Sequence, residues 1–416
     1  MHAFRGGLDA ARVVLGERFG HARFRVHQLK VLGPLLAGRS VLAVLPTGAG
    51  KSLCFQIPAL LANGLTLVVS PLISLMQDQV ATLRRHGIAA AFLNSQLDAE
   101  QRRRVEHATV AGQVALLYCA PERLASLVHL LGAAAVPVSL LAVDEAHCIV
   151  EWGNDFRPVY RRLGVFRAAL GDPPTIALTG SATPAARADI LHVLRLPGAE
   201  VVVTSFDRPN LAFAVERVAT DRERFRRLRG LVREVAGAAI VYTPTRRLTE
   251  LVTRALLRAG VRTAPYHAGL TAAIRARVLR AFLGDRVGTV VATSAFGMGI
   301  DKPDVRRVIH WGPPRTLEAY YQEAGRAGRD GAPADCRILW RRRDLIWAGA
   351  DLAPAMRRYV KARRCRRRML LEYFGEASVE CSGCDVCGFV AQVEKQGRCE
   401  GVRLPRAMGP GLTHPS

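Results

Sequence analysis

A glycine-rich stretch at residues 45–52 has the residue types that bind phosphate. It follows an apolar, strand-like run and precedes a helix-like run at residues 53–62. A loop in this position directs its backbone N–H groups and the N-terminus of the helix at phosphate oxygens. The lysine of the stretch would bind the β- and γ-phosphates, and its serine would hold Mg²⁺. The predicted nucleotide ligands here are Thr47, Gly48, Gly50, Lys51 and Ser52.

An acidic pair, Asp144 and Glu145, strengthens the interpretation of that loop. Read alone, the loop is also compatible with a ligand-free glycine turn, since Leu45 stands where the strict pattern has glycine. The acidic pair follows a second apolar run. Asp144 would reach Mg²⁺, directly or through water, and Glu145 would orient or deprotonate the water that attacks the γ-phosphate. His147 would couple this site to neighbouring loops, although a lone histidine is more often structural.

Two arginines in the second half of the chain, Arg326 and Arg329, are spaced to lie on one face of a helical turn. A guanidinium brought to the γ-phosphate stabilises the charge of the transition state, as an arginine finger does. If the two halves are separate domains, ATP is gripped at their interface and hydrolysis opens and closes the cleft. A basic surface turn is the alternative.

The elements that must position these residues alternate between short apolar strands and helical patterns. Predicted strands of a first series lie at residues 41–45, 65–70, 114–118, 140–143 and 176–179. A second series follows at residues 238–242, 262–266, 289–292, 308–311 and 336–340. Uninterrupted apolar strands between helices predict parallel sheets covered on both faces, with ligands beyond the carboxyl ends of the strands.

The fold class expected from this pattern is α/β, with two parallel-sheet domains followed by a small helical zinc-binding module. The segment at residues 197–210 is interpreted as the boundary between the two sheets. The expected domains are residues 1–205 and 206–340, the zinc-binding module is residues 341–390, and residues 391–416 form a loose tail.

Five of the nine cysteines lie in the C-terminal region. Three of them are closely spaced, and Cys365 would complete a set of four thiolates, which suits a closed tetrahedral zinc site. A redox-active pair and an iron–sulfur cluster are the alternatives. Cys399 falls outside this set, and Cys54, Cys119, Cys148 and Cys336 are expected in the core. The predicted zinc ligands are Cys365, Cys381, Cys384 and Cys387.

A net charge of +24 points to a polyanionic partner such as nucleic acid. An arginine-rich, solvated surface is the alternative. The first twenty residues do not have the pattern of a secretory signal, and no apolar run is long enough to span a membrane. Nine cysteines in a chain of 416 residues do not indicate a disulfide framework. These observations predict a cytoplasmic protein without a membrane partner.

Taken together and in order, these motifs resemble superfamily 2 helicases, and specifically the RecQ family of DNA helicases, from about residue 15 to residue 387. The resemblance implies that the two parallel-sheet domains are RecA-like and supports zinc at the cysteines. By the same resemblance, Arg25 and Gln28 would contact adenine, and Gln322 would complete the ATP site with the two arginines. The segments that carry the likeness are residues 19–28, 45–56, 70–79, 120–124, 179–182, 205–210, 295–303 and 322–329. Among them, residues 70–79 and 120–124 resemble motifs that follow a DNA backbone.

A loop rich in aromatic residues directly follows the acidic pair and contains Trp152, Phe156 and Arg157. Aromatic side chains beside an arginine stack on bases and bind phosphates of a single strand. Away from any family, such aromatics are more often core residues. In RecQ enzymes this loop couples DNA binding to ATP hydrolysis, so the resemblance implies that these three residues bind DNA.

The resemblance implies an ATP- and Mg²⁺-dependent 3′-to-5′ helicase that acts on single-stranded and forked DNA in repair or recombination. The chain is expected to be a short form, without a winged helix or a C-terminal helical domain. A DNA-stimulated translocase that remodels or anneals DNA without processive unwinding is therefore the first alternative. A non-enzymatic nucleic-acid-binding protein with a relic motor and an RNA helicase are the other two.

Overall fold

The computed structural model describes residues 4–46, 48–71, 73–151, 158–235, 237–297, 302–347, 350–377 and 380–388. Its first sheet is entirely parallel and has the strand order β3-β4-β2-β5-β6-β1-β7. The strands are β1 Val41–Val44, β2 Leu65–Val69, β3 Ala90–Leu93, β4 Leu116–Cys119, β5 Val138–Val143, β6 Thr175–Thr179 and β7 Glu200–Val203.

Within the part of the chain that the structure describes, nine helices accompany this sheet and bury apolar clusters on both of its faces. Alternate residues of β1 belong to different clusters, as the two-residue period of a strand requires. The helices are α1 Leu8–Phe19, α2 Val26–Leu36, α3 Leu53–Leu61, α4 Ile73–Arg85, α5 Ala99–Val110, α6 Leu124–Ala133, α7 Cys148–Glu151, α8 Leu163–Ala169 and α9 Pro184–Val193. Short 3-10 helices lie at Pro121–Arg123 and Pro158–Arg162.

A second parallel sheet has the order β10-β11-β9-β12-β13-β8. Its strands are β8 Leu211–Arg217, β9 Ala238–Tyr242, β10 Thr263–Tyr266, β11 Thr289–Ala292, β12 Val305–His310 and β13 Ala334–Trp340. Its helices are α10 Asp221–Glu234, α11 Arg246–Arg258, α12 Ala272–Leu283 and α13 Leu317–Ala324. A threonine side chain caps the N-terminus of each of these four helices by accepting a backbone N–H.

The C-terminal module packs against the edge strand of the second sheet. It contains a 3-10 helix at Arg342–Leu345, the antiparallel strands β14 Ile346–Trp347 and β15 Ala350–Asp351, and the helices α14 Pro354–Lys361 and α15 Arg366–Tyr373. The backbone of Phe213 in β8 exchanges hydrogen bonds with Gly383 and Asp385. The cysteine segment thereby covers the exposed edge of β8, where a free row of backbone groups would otherwise invite pairing.

All ten predicted strands exist, with ends within three residues of the prediction, and the predicted α/β class is confirmed. Three strands of the two parallel sheets were missed, namely β3, β7 and β8, and so were the short strands β14 and β15 of the C-terminal module. β7 lies inside the segment interpreted as a boundary, where it pairs with β1 at the edge of the first sheet. Among the described residues, no helix has both the length and the apolar character that crossing a membrane requires.

Candidate active site

The glycine-rich loop connects β1 to α3 and depends on its glycines. Gly48 and Gly50 have φ angles of 82° and 74°, in the left-handed region that favours glycine. A Cβ at Gly50 would also lie 2.6 Å from Nε2 of Gln28. The Lys51 ammonium donates to the carbonyl oxygen of Leu45 at 3.3 Å, so it lies against the start of the loop. Thr47 lies outside the described residues.

The start of α2 holds the loop through three side chains. Arg25 Nη1 donates to the carbonyl oxygen of residue 48 at 2.6 Å, and Gln28 Nε2 donates to that of residue 50 at 3.1 Å. His27 Nε2 lies 2.8 Å from the carbonyl oxygen between them. His27 was not predicted from the sequence. Its position between Arg25 and Gln28 was the only sequence feature that could have indicated it. The adenine contacts of Arg25 and Gln28 remain a prediction.

The hydroxyl of Ser52 belongs to a side-chain network that reaches the core. Gln79 Nε2 donates to Ser52 Oγ at 3.1 Å, and Gln79 Oε1 accepts from the Tyr118 hydroxyl at 2.7 Å and from Gln56 at 3.2 Å. Burial raises the pKa of Tyr118 above its usual range, which keeps that hydroxyl a donor. Gln79 ends the segment whose sequence resembles a DNA-tracking motif, and here it orients a predicted Mg²⁺ ligand.

The acidic pair follows β5 at the carboxyl end of the sheet, close to the phosphate loop. Asp144 is buried, and this burial is the main cause that raises its pKa to about 7. The negative charge of Glu145 also raises the pKa, whereas the positive charge of Lys51 lowers it. Ser52 and Asp144, the predicted Mg²⁺ ligands, carry oxygen atoms of the kind that this cation prefers. Glu145 has a φ of 49°, which is uncommon for a residue with a Cβ.

One amide of the second sheet's α13 reaches residues that follow the strands of the first sheet. Gln322 Nε2 donates to Ser181 Oγ at 2.9 Å and lies 3.2 Å from His147 Nε2. The other ring nitrogen of His147 lies 3.1 Å from Thr179 Oγ1 and 3.4 Å from a carboxylate oxygen of Glu145. If Gln322 donates to His147, the histidine proton is on Nδ1, directed at Thr179 and Glu145.

Arg326 and Arg329 lie just beyond α13, which ends at Ala324. The prediction of a helical turn is wrong in this detail, because the helix gives way to a run of turns through residue 330. Gly325 still has right-handed helical angles, but Gly328 adopts a φ of 54° that helical residues do not. Arg326 is buried all the same, beside the hydroxyl of Tyr242.

Four cysteine sulfurs converge at the C-terminus of the described chain. Those of Cys365, Cys381, Cys384 and Cys387 all lie within 4.8 Å of one another, and two of them are 3.9 Å apart. A tetrahedral zinc site has sulfur–sulfur edges of about 3.8 Å, so this set fits zinc. Burial favours a higher pKa for Cys384, but backbone N–H groups of Arg366 and Cys387 donate to its sulfur and lower the pKa, favouring the thiolate.

Several predicted features lie outside the described residues. They are the three predicted DNA ligands Trp152, Phe156 and Arg157, residues 298–301 within the segment that resembles a helicase motif, and the predicted tail at residues 391–416. The cysteines expected in the core are buried as predicted, namely Cys54, Cys119, Cys148 and Cys336.

Comparison with known proteins matches three segments of the chain to families. Residues 25–190 match the DEAD/DEAH box helicase family, residues 223–331 match the helicase conserved C-terminal domain, and residues 349–388 match the RecQ zinc-binding family. A solved structure of S. cerevisiae Dbp5 bound to RNA and ADP BeF3 has a TM-score of 0.67 at 15% identity, covering 93% of this chain and 96% of that one. That likeness concerns the fold alone.

Two bacterial relatives are similar over most of the chain. ATP-dependent DNA helicase RecQ of Haemophilus influenzae is 42% identical over 390 residues, which cover 90% of this chain and 63% of that protein. The protein of the same name from Bacillus subtilis is 39% identical over 399 residues, which cover 92% of this chain and 67% of that protein. The chain thus spans roughly two thirds of the length of these relatives.

Proposed function

Because the chain belongs to the RecQ family of DNA helicases, we propose that it couples ATP hydrolysis to 3′-to-5′ movement on single-stranded DNA and to strand separation. The observation that carries this proposal is the contact of Gln322 with His147 and Ser181. This contact joins the two sheets beside Glu145. A change at the nucleotide would therefore alter contacts made by both domains. Such a link is what a motor needs to convert hydrolysis into domain movement.

In the proposed reaction, water attacks the γ-phosphorus and the bond to the bridging oxygen breaks. Glu145 accepts the proton of that water, and Lys51 binds the β- and γ-phosphates. Mg²⁺, held by Ser52 and Asp144, would neutralise phosphate charge. Arg326 and Arg329 would stabilise the charge that develops on the γ-phosphoryl group. The site would be completed by Gln322 and by the adenine and loop ligands Arg25, Gln28, Thr47, Gly48 and Gly50.

The zinc module and the basic charge belong to the same proposal. Zinc at the four cysteines would fix the segment that pairs with β8, and the net charge of +24 would attract DNA phosphates. Trp152, Phe156 and Arg157 would sense the bound strand. We further propose single-stranded and forked DNA as substrates, a role in repair or recombination, a cytoplasmic location, and domains at residues 1–205, 206–340 and 341–390.

Strand separation on three duplexes tests the proposal. Purified protein with ATP and Mg²⁺ is given the same labelled duplex with a 3′ tail, with a 5′ tail or with blunt ends. The proposal predicts separation of the 3′-tailed duplex, which disappears when ATP is replaced by a non-hydrolysable analogue. Separation of the 5′-tailed duplex alone would refute the polarity. DNA-stimulated hydrolysis without separation would support a translocase that remodels or anneals DNA.

A further inference from the structure

Arg208, in the segment that joins the two sheets, binds the turn that contains both predicted arginine fingers. Its Nη1 donates to the carbonyl oxygen of Gly325 at 3.3 Å, and its Nη2 donates to those of Ala327 and Gly328 at 3.0 and 2.9 Å. The guanidinium of Arg208 therefore binds three carbonyl groups, one before Arg326 in the chain and two after it. The planar fork of arginine suits such a set of convergent acceptors.

A second residue of the same segment, Asn210, binds the far side of this turn. Its Nδ2 donates to the carbonyl oxygens of Gly328 at 2.8 Å and Ala332 at 2.9 Å. The contact requires glycine at position 328, where φ is 54° and a Cβ would lie 2.4 Å from the Asn210 amide nitrogen. Arg208 and Asn210 thus form five hydrogen bonds to four carbonyl groups of this turn, and Gly328 permits their close approach.

Arg208 and Asn210 together form a clamp on the turn. The C-terminal module binds the joining segment and so fixes the backbone of this clamp. Arg367 of α15, which is 1% exposed, donates to the carbonyl oxygens of Arg208 at 2.9 Å and Leu211 at 2.5 Å and forms an ion pair with Asp207. Glu376 accepts from the backbone N–H of Phe206 at 2.6 Å. These bonds fix the backbone from which Arg208 extends.

We propose that Arg208 is a positioning residue for ATP hydrolysis, one that holds the turn so that Arg326 and Arg329 meet the γ-phosphate. This inference rests on the proposed function. Arg208 acts through the turn and needs no contact with the nucleotide. A misplacement of about 1 Å costs on the order of 100-fold in rate when a charge must meet a transition state. ATP binding depends mainly on the phosphate loop in the other domain, so it is spared.

The direct test measures DNA-stimulated ATP hydrolysis by Arg208→Met and Arg208→Lys. Arg208→Met removes every donor, and we expect kcat to fall between about 10- and 100-fold while KM for ATP changes less than about threefold. Arg208→Lys restores one cation but not the fork, so its kcat should lie between those of Arg208→Met and the wild type. Unchanged kcat in Arg208→Met, with wild-type hydrolysis intact, overturns the inference and leaves the proposed function standing.

Arg307→Lys is the matched control for a general loss of stability. Arg307 is buried in the same domain, where it donates to the carbonyl oxygen of Leu231 and to Asp335, neither of which belongs to the turn. We expect it to lower thermal stability at least as much as Arg208→Lys while keeping a near wild-type kcat. An equal loss of kcat in the two lysine variants would mean that Arg208 only supports the fold, which overturns the inference.

A double-mutant cycle distinguishes positioning from an independent effect. If Arg208 acts through Arg326 and Arg329, Arg208→Met should change kcat by less than about threefold in an Arg326→Ala/Arg329→Ala background. A full loss in that background would contradict the inference. Should Arg208→Met fail to fold, Arg208→Lys replaces it in the cycle, because it keeps the charge and removes the planar fork that binds the three carbonyl groups.

Discussion

Nε2 of Gln322 lies 2.9 Å from Oγ of Ser181, although one residue belongs to a helix of the second sheet and the other follows a strand of the first. The same amide lies within hydrogen-bond distance of His147, which is next to Glu145. One side chain, that of His147, therefore links the carboxylate proposed to activate water with Gln322 of the other domain. Movement of either sheet would change the environment of that carboxylate.

Gln322→Ala should uncouple the two sheets. It removes one donor that serves both Ser181 and His147, so we expect DNA-stimulated kcat to fall about tenfold or more, as when a positioned donor is lost from an active site. Affinity for single-stranded DNA, followed by fluorescence anisotropy, should change little. Gln113→Ala removes an exposed amide of the first domain and should retain wild-type rates. Equal rates in Gln322→Ala and the wild type would show that the bond has no part in turnover.

Lys51→Ala should abolish ATP turnover while leaving DNA binding in place. The ammonium lies at the start of the phosphate loop, and no other cation of the loop replaces it. A loss on the order of 100-fold or more is expected when a phosphate-binding charge is removed. Hydrolysis and DNA binding are measured on the same preparation. Substantial residual turnover would contradict the assignment of the nucleotide site.

Cys384→Ser should lower both the zinc content and the stability of the protein. Cys384 is buried among the other three sulfurs, and its segment pairs with β8. Loss of one thiolate weakens zinc binding, and the free energy of zinc binding contributes directly to folding. Elemental analysis should show less than one zinc per chain, with a melting temperature lower by several degrees. Cys399→Ser, outside the predicted ligand set, is the control and should keep its zinc.

Phe374→Ala should destabilise the junction between the C-terminal module and the joining segment. The Phe374 ring is fully buried and stacks on Phe206 with centroids 4.6 Å apart, next to Tyr321. Removing a buried phenyl ring costs about 3–5 kcal/mol of unfolding free energy, and Phe374→Leu should cost less. Urea denaturation measures both. Equal stability of Phe374→Ala and wild type would mean that this aromatic cluster does not bind the module to the motor.

Trp152→Ala tests a prediction that rests on sequence alone. If the aromatic loop senses DNA, the variant should keep its basal ATP hydrolysis and lose most of the stimulation by single-stranded DNA. Loss of one stacking side chain costs about 1–3 kcal/mol of binding per base. Hydrolysis is therefore measured across a DNA titration. A wild-type titration curve would remove Trp152 from the DNA site.

The sequence predicts well those features that local patterns determine. Apolar runs gave ten strands, the glycine loop and the acidic pair appear at strand ends, and the four cysteines converge. β3, β7 and β8 were missed, and all three lie at the edges of their sheets. An edge strand pairs on one side, so it does not need the continuous apolar run from which the other strands were predicted. Nothing local in residues 205–210 indicated the clamp, since Arg208 and Gly328 are 120 positions apart. Gln322 and His147 are 175 positions apart, and only the resemblance to a family directed attention to Gln322.

Control of ATP hydrolysis by bound DNA, at a site completed by both sheets, is the property on which the proposed function depends. Its most direct test is steady-state ATP hydrolysis by the purified protein, titrated with single-stranded DNA, beside the Gln322→Ala and Lys51→Ala variants. We expect hydrolysis to rise steeply with DNA and reach a plateau in the wild type, to be strongly reduced in Gln322→Ala and to be absent in Lys51→Ala. A hydrolysis rate that does not change with DNA, or that stays at the wild-type value in both variants, would contradict control of hydrolysis by bound DNA.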